Sequence, residues 1–416
     1  MRIFIIALVL GVAVAIALTA STAEGQPVAP FVVVLQDGTD VAAKVAELER
    51  IHGFKADHRY TSSVAGFAAR LASRQRSAIA RDPSVASIHD DKAVRLAPPS
   101  RSSRASALAT GVKRVGGGTK SAAGVAVAVL DTGIDLTHPD LNALAGTNCT
   151  GGSNRRTSAV SDGHGHGTHV SGTIAGKNGI GVAPGTTIYA VKVLDDQGRG
   201  STSALICGID WVTANSAKLG IRVANLSLGM PGSPDVDCGC TSHDVLHKAL
   251  CRSIETGVVY VVAAGNDAAD IAGDVPSGYP EVLAVTAMSD TDGAPGGRGP
   301  NATCGPNERD DAFASFSNYA GSAADAGHIV AAPGVCIRSS WTGGGYRTIS
   351  GTSMAAPHVA ATVALCIASG RCRGTARSII TQVRSDAAAH ADGFAGDEHG
   401  PLARRHYGDL VWAGAY

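Results

Sequence analysis

Five nearly continuous apolar runs constrain this chain more than any other feature. They are GVAVAVL (124–130), TIYAVKVL (187–194), IRVANLSL (221–228), GVVYVVAA (257–264) and EVLAVTAM (281–288). A strand with one wet face alternates apolar and polar residues. An uninterrupted run needs cover on both faces, which is the situation of a strand inside a parallel sheet. Helix-like stretches lie between the runs, among them ALICGIDWVTANSA (204–217) and HDVLHKALCRSIET (243–256). The pattern predicts an α/β unit around a central, mainly parallel sheet. Ligands of such sheets bind beyond the carboxyl ends of the strands. Asp131, Ser227-Leu228-Gly229 and Asn266 each follow a run and are expected at one sheet edge.

The 416 residues leave room for further domains. Residues 31–38 read as a strand, 40–53 as a helix capped by Asp40 and stopped by Gly53, and 64–71 as a strand. Residues 72–83 read as a second helix and 85–96 as extended, which together make a small α+β module. PPSRSSRAS (98–106) is polar and flexible, a linker open to proteolysis. The first residues combine Arg2, an apolar stretch from Ile3 to Leu18, and small residues at Ala20 and Ala23. That is a secretory signal over 1–23; the competing reading, a membrane anchor, needs a longer run. Nine cysteines suit an oxidising compartment. The zero formal net charge argues against a nucleic-acid or anionic-membrane binder. The reading is an exported, soluble monomer.

GTSMAAPHV (351–359) places Ser353 where an alanine-rich helix begins, with Pro357 close to its first turn. Ser353 is either an N-cap or a nucleophile near N–H groups that favour negative charge. Asp131 opens DTGID, as a turn residue or a functional carboxylate. DGHGHGTHVSG offers His164, His166 and His169. Their spacing also admits a metal site, although no HExxH-type base accompanies it.

VAVLDTGIDLTHPDL, GHGHGTHVSGTIAG, ANLSLG, VVAAGN, FASFSNY and GTSMAAPHVAA, in this order, resemble the subtilisin-like serine peptidases, most closely their proteinase K-like branch. The resemblance spans roughly 124–361. It implies a subtilisin-like three-layer fold with a mainly parallel sheet, preceded by a ferredoxin-like α+β prodomain. It implies Ser353 as nucleophile, His166 as general base and Asp131 as its orienting carboxylate, and Asn266 as oxyanion donor beside the Ser353 N–H. Peptide-pairing edges are implied at Gly198-Arg199-Gly200 and Ser227-Leu228-Gly229. Arg199 either favours acidic substrate residues or points into solvent. The S1 pocket is expected between Ala263-Ala264-Gly265 and Ser227 to Gly229, with a broad, apolar-leaning preference.

The same resemblance makes 27–98 an inhibitory propeptide, 99–109 the processing region and 110–416 the catalytic domain. Self-cleavage is expected between about Arg95 and Ala109; a separate binding domain is the competing reading for the module. No cofactor is implied for catalysis. A structural calcium site is implied at the carbonyls of Pro280 and Val282, with no cleanly aligned acid because the loop around Asp325 is longer here. Cysteine spacing does not fix the pairing. The resemblance implies Cys149–Cys207. Cys240–Cys251 and Cys304–Cys336 are read as loop closures and Cys366–Cys372 as a staple, which leaves Cys238 over. The tail, with a helix at 375–387, is expected to pack on the domain. A peptide-binding relative without activity and an α/β-hydrolase esterase are the other classes; the latter lacks its G-x-S-x-G and Ser-Asp-His order.

Overall fold

The computed structural model describes residues 27–96, 100–103, 110–151, 159–305, 308–390, 394 and 404–416. The expected signal (1–23) and most of the linker lie outside them. The first unit runs β1 (Val28–Leu35), α1 (Val41–His52), β2 (Ala56–Tyr60), β3 (Gly66–Ala72), α2 (Ser73–Ile79) and β4 (Val85–Asp90). Its sheet has the order β2-β3-β1-β4 with antiparallel pairs. Asp40 caps α1 through the Ala43 N–H, and Gly53 ends it in the left-handed region. The sequence reading has no β2. This strand turns Ala56, His58 and Tyr60 inward, and a histidine among the inward positions hides the apolar alternation.

The chain then leaves that sheet as β5 (Ala93–Arg95) and β6 (Ser100–Ser103). The second unit opens with α3 (Thr110–Arg114), β7 (Ala126–Asp131), β8 (Asn142–Asn148), α4 (His166–Ala175) and β9 (Thr187–Lys192). It continues with β10 (Arg199–Ser201), α5 (Thr202–Leu219), β11 (Ile221–Leu226), β12 (Met230–Pro231), α6 (Val245–Glu255) and β13 (Val259–Ala263). After these come β14 (Asp274–Val275), β15 (Leu283–Ser289), β16 (Ala312–Phe313), β17 (Ile329–Pro333), β18 (Ile337–Trp341) and β19 (Gly345–Ser350). The helices α7 (Thr352–Ala368) and α8 (Ala376–Ala389) close the unit.

The five apolar runs are β7, β9, β11, β13 and β15, all parallel, within the order β16-β15-β13-β11-β7-β9-β8. Their alternate residues go to opposite layers. Val127, Val129, Val223, Val261 and Val285 pack with α4 and α7, whereas Ala128, Leu130, Ala224, Leu226 and Val262 pack with α5 and α6. Each fully buried valine or leucine stabilises by about 1.5–3 kcal/mol, so both faces of a run contribute.

The first unit docks on the start of α5. Asp91 accepts from the Ser203 N–H (2.8 Å) and hydroxyl (2.6 Å). Asp210 accepts from the N–H groups of Ser62 (2.7 Å) and Ser63 (2.8 Å), and the Tyr60 hydroxyl donates to the Ser203 carbonyl at 3.0 Å. Charge-assisted bonds of this kind contribute about 1.5–3 kcal/mol each when shielded.

Disulfides join Cys149–Cys207, Cys304–Cys336 and Cys366–Cys372, as expected. The fourth corrects the sequence reading: Cys238, not Cys240, pairs with Cys251, and Cys240 is free and exposed. The cause is a turn in which the Asp237 carboxylate accepts from the N–H groups of Cys240 and Thr241 (both 3.0 Å). This directs Cys240 outward and Cys238 toward α6. Among the described residues no helix is long and apolar enough to cross a membrane.

Candidate active site

Because the central strands are parallel, Asp131 at the end of β7, Ser227 to Gly229 after β11 and Asn266 after β13 open on one edge. Helices α4 and α7 begin at the same edge.

His166 is the first residue of α4. Gly165 before it has φ 102°, and a Cβ there would fall 2.2 Å from the Trp341 ring, so only glycine serves. Asp162 fixes this turn. It accepts from the N–H groups of His164 (3.1 Å), Gly165 (2.8 Å) and Thr168 (2.9 Å), and from the hydroxyls of Thr132 (2.8 Å) and Thr168 (2.6 Å). A carboxylate among helix N-terminal amides is favoured by hydrogen bonding and by the helix dipole. Sequence reasoning missed Asp162, although an acid four residues ahead of a glycine-flanked helix start was the available signal.

His166 Nδ1 lies 2.8 and 3.0 Å from the two carboxylate oxygens of Asp131. Asp131 is fully buried and also accepts from the Thr132 N–H at 2.7 Å. A buried carboxylate needs donors, so Nδ1 carries the proton and Nε2 is the basic nitrogen. The other two histidines differ. His169 Nε2 sits 3.0 and 3.1 Å from the carbonyls of Ile337 and Arg347, and burial drives its pKa to about 3. Burial, then the neighbouring His166, lowers His164. The three imidazoles form no shared metal-binding group among the described residues.

Ser353 is the second residue of α7 and 2% exposed. Its hydroxyl donates to the Ser227 carbonyl at 3.2 Å; no hydrogen bond joins it to His166. Pro357 is the sixth residue of the helix, just past its first turn. Lacking an N–H, it leaves the Ser353 carbonyl without the usual helical donor, and the Ser227 hydroxyl donates there instead at 2.9 Å. The Asn266 amide oxygen accepts from the Thr352 N–H and hydroxyl, both at 2.9 Å, which turns its amide nitrogen away from Thr352.

An extended segment that follows the first unit lies between the two expected edges. β5 pairs antiparallel with β10, placing Arg95 opposite Arg199 and Val94 opposite Gly200. On its other side Arg95 and Gly229 exchange backbone bonds at 3.3 and 3.2 Å, and the Leu96 N–H donates to Gly198 at 3.2 Å. The two expected edges therefore flank one strand. β6 resumes beyond, with Ser100 opposite Ser350 and Ser103 opposite Thr348. Arg199 folds back onto Asp195 (3.2 Å) and Gln197 (2.9 Å) and is exposed.

Under this strand lies a cavity of about 170 Å³, lined by Leu228, Gly229, Ala263 and Gly265 together with Asp267 and Asp274. Ser227 and Ala264 are wholly buried behind the wall. The two acids were not singled out from sequence. Burial, opposed by the Ser277 hydroxyl and reinforced by Asp267, raises the Asp274 pKa to about 7.

Pro280 and Val282, the expected calcium carbonyls, directly precede β15. The Val282 carbonyl already faces His328 Nδ1 at 3.2 Å, and Asp325 is engaged by the Ser322 hydroxyl at 2.6 Å.

A family model described as Subtilase family matches residues 122–393, which hold every residue of this edge. The chain belongs to the subtilase family. A second model, Peptidase inhibitor I9, matches residues 30–97. This subtilase is 35% identical to Proteinase R of Parengyodontium album over 80% of this chain and 78% of that protein. It is 34% identical to Alkaline serine protease ver112 of Corniculantispora psalliotae, over 85% and 86%. A solved structure of a cold adapted subtilisin-like serine proteinase aligns with a TM-score of 0.56 and 29% identity, over 74% of this chain and 99% of that one. The subtilase is thus a serine endopeptidase of the proteinase K-like kind, carrying an inhibitor-type propeptide.

Proposed function

We propose that this subtilase is an exported zymogen that hydrolyses polypeptides through Ser353, His166 and Asp131 and removes its own prodomain. The observation that carries the reading is the His166–Asp131 hydrogen bond, set at the sheet edge where Ser353 opens α7. His166 Nε2 takes the Ser353 proton as Oγ attacks the scissile carbonyl, and returns it to the leaving amine. Asp131 holds the tautomer and balances the imidazolium. The oxyanion is met by the Ser353 N–H and the Asn266 amide; removal of the comparable donor in subtilisin is known to cost about 100- to 1000-fold. The acyl-enzyme is then hydrolysed with His166 activating water.

Substrate pairs as a strand between Gly198-Arg199-Gly200 and Ser227-Leu228-Gly229, with its P1 side chain beside Ala264 and Gly265. In the zymogen Arg95 and Leu96 hold that position, so the prodomain competes with substrate. The Ser353 hydroxyl swings from Ser227 to His166 with a rotation of its side chain once a substrate is seated, since catalytic bonds tighten on binding. Residues 1–23 direct export, and the mature domain acts as a monomer.

Ser353→Ala tests the reading. It is expected to abolish both peptide hydrolysis and prodomain removal. Normal processing in that variant overturns the assignment, and a secreted chain that still carries residues 27–98 overturns self-maturation.

A further inference from the structure

We propose that Asp274, aided by Asp267, makes the pocket beside Ser353 a receptor for a basic side chain, so that this subtilase cleaves after lysine or arginine. The proposal rests on the peptidase reading above and names its substrate class.

The observations concern the floor of the 170 Å³ cavity. Apart from the overlying strand and the two acids, its walls are apolar: Leu228, Gly229, Met230, Pro231, Ala263 and Gly265. Apolar walls alone leave a broad, apolar-leaning preference. The backbone requires glycine at 265, because φ is 106° and a Cβ would lie 2.3 Å from Asn318 Nδ2. Asp274 changes its character. Its Oδ1 would touch a Cβ on Gly229 at 2.7 Å, so the carboxylate stands directly behind the residue that pairs with the peptide strand. The only hydrogen bond to this carboxylate among the described residues comes from the Ser277 hydroxyl at 3.1 Å. No lysine, arginine or histidine forms an ion pair with it or with Asp267 among the described residues.

Once the prodomain's Arg95 has left, two carboxylates facing one cavity have no counter-charge and repel each other, and a half-buried anion is short of solvent. The raised pKa of Asp274 records that cost. A substrate ammonium or guanidinium entering the pocket supplies the missing charge and several donors to oxygens that now have one between them. An apolar side chain leaves the carboxylate drier and still unpaired. The difference acts on the bound peptide throughout acylation, so it enters kcat/KM. The charged groups around Asp274 are Asp267 and, until the prodomain leaves, Arg95 on the overlying strand. Selection for a basic side chain therefore strengthens as pH rises from about 6 to 8 and Asp274 ionises.

The test is a set of peptides identical except at P1, carrying Arg, Lys, Leu, Phe or Ala, hydrolysed by the mature protein. Arg and Lys are expected to exceed Leu and Phe in kcat/KM by about tenfold or more at pH 8, with a smaller margin at pH 6. Asp274→Ser is expected to lower the Arg peptide by about tenfold or more and to invert the Arg-to-Leu ratio; Asp267→Ser shifts the ratio in the same direction by less. Preference for Leu or Phe in the wild-type protein, or an unaltered ratio in an active Asp274→Ser protein, overturns the proposal and leaves the triad standing. Hydrolysis of none of the peptides overturns the triad reading as well. The wild-type profile decides the matter by itself if Asp274→Ser does not fold.

Discussion

Ser353 and Ser227 hold each other through two hydrogen bonds: the Ser227 hydroxyl donates to the Ser353 carbonyl at 2.9 Å, and the Ser353 hydroxyl donates to the Ser227 carbonyl at 3.2 Å. The first bond exists because Pro357 offers the Ser353 carbonyl no N–H. The helix that carries the nucleophile is thereby tied to the strand edge that binds the peptide.

Ser227→Ala removes that tie and leaves a buried carbonyl without a donor. It also strips Asn225 Nδ2 of its acceptor at 3.0 Å. The expected cost is about 1–3 kcal/mol of stability, read as a lower denaturant midpoint in a Ser353→Ala background that cannot digest itself. Turnover should fall too, because the start of α7 loses its support. A midpoint equal to that of the background protein would show that water replaces the bond.

Asp131→Asn keeps the shape of the site but not its charge. The amide has donors of its own and can hold His166 in the tautomer with Nδ1 as acceptor, so that Nε2 can no longer take the Ser353 proton. Loss of the comparable carboxylate in a serine protease lowers kcat by about 10⁴-fold, and a similar loss in kcat with little change in KM is expected here. A loss confined to KM would mean that Asp131 acts on binding and not on the base.

Much of this edge was legible in the chain, and the limit has a physical form. Uninterrupted apolar runs report strands covered on both faces, so the sheet and the residues ending its strands could be read. The HGTHVSG motif supplied His166 over His164, while geometry supplied the reason, namely the bond from His166 to Asp131 and Asp162 gripping the turn. Asp274 was illegible because a single acid in a glycine-rich loop looks like a turn residue; only the fold brings it behind Gly229. The β2 strand was hidden by the inward His58. Cys238 and Cys240 are chemically equal on paper, and only the Asp237-capped turn distinguishes them.

That turn gives a further expectation. Non-reducing peptide mapping should recover a Cys238–Cys251 cross-link and a single alkylatable thiol at Cys240. Cys240→Ser should leave stability within about 0.5 kcal/mol, as for surface changes generally. Cys238→Ser should cost about 3 kcal/mol from the 13-residue loop it opens. A Cys240–Cys251 cross-link in the map would overturn the assignment.

Stability should also depend on His247. Its side chain is wholly buried between Asp235 (2.5 Å) and Glu281 (2.7 Å) and stacks on Tyr279. Burial lowers its pKa, but the hydrogen bonds and charges of Glu281 and Asp235 outweigh burial, and the net shift is upward. A histidine with a raised folded pKa contributes stability that is complete below its unfolded value near 6.5 and is lost as pH climbs through the folded value. The melting temperature of the Ser353→Ala protein should therefore decline above pH 6.5, and His247→Gln should flatten the decline. A slope that His247→Gln does not alter would place the titrating group elsewhere.

The zymogen's own strand bounds the bond that is cut. Arg95 is locked to Gly229 on one side of Ser353, and Ser100 faces Ser350 on the other. Both described ends lie on the edge that carries Ser353, so the first self-cleavage is expected between Leu96 and Ser100, a narrower range than 95–109. Cleavage within one molecule draws on a high effective concentration and does not require a favoured P1 residue. N-terminal sequencing soon after folding, in dilute solution, should find a mature chain starting at 97–100, formed at a rate independent of concentration. Later samples should add chains starting at 102 or 105, in a concentration-dependent way, if mature copies trim after Arg101 and Arg104 through the pocket of Asp274. A first product starting before residue 97 or after 103 would mean that the strand lying in the cleft is not the strand that is cut.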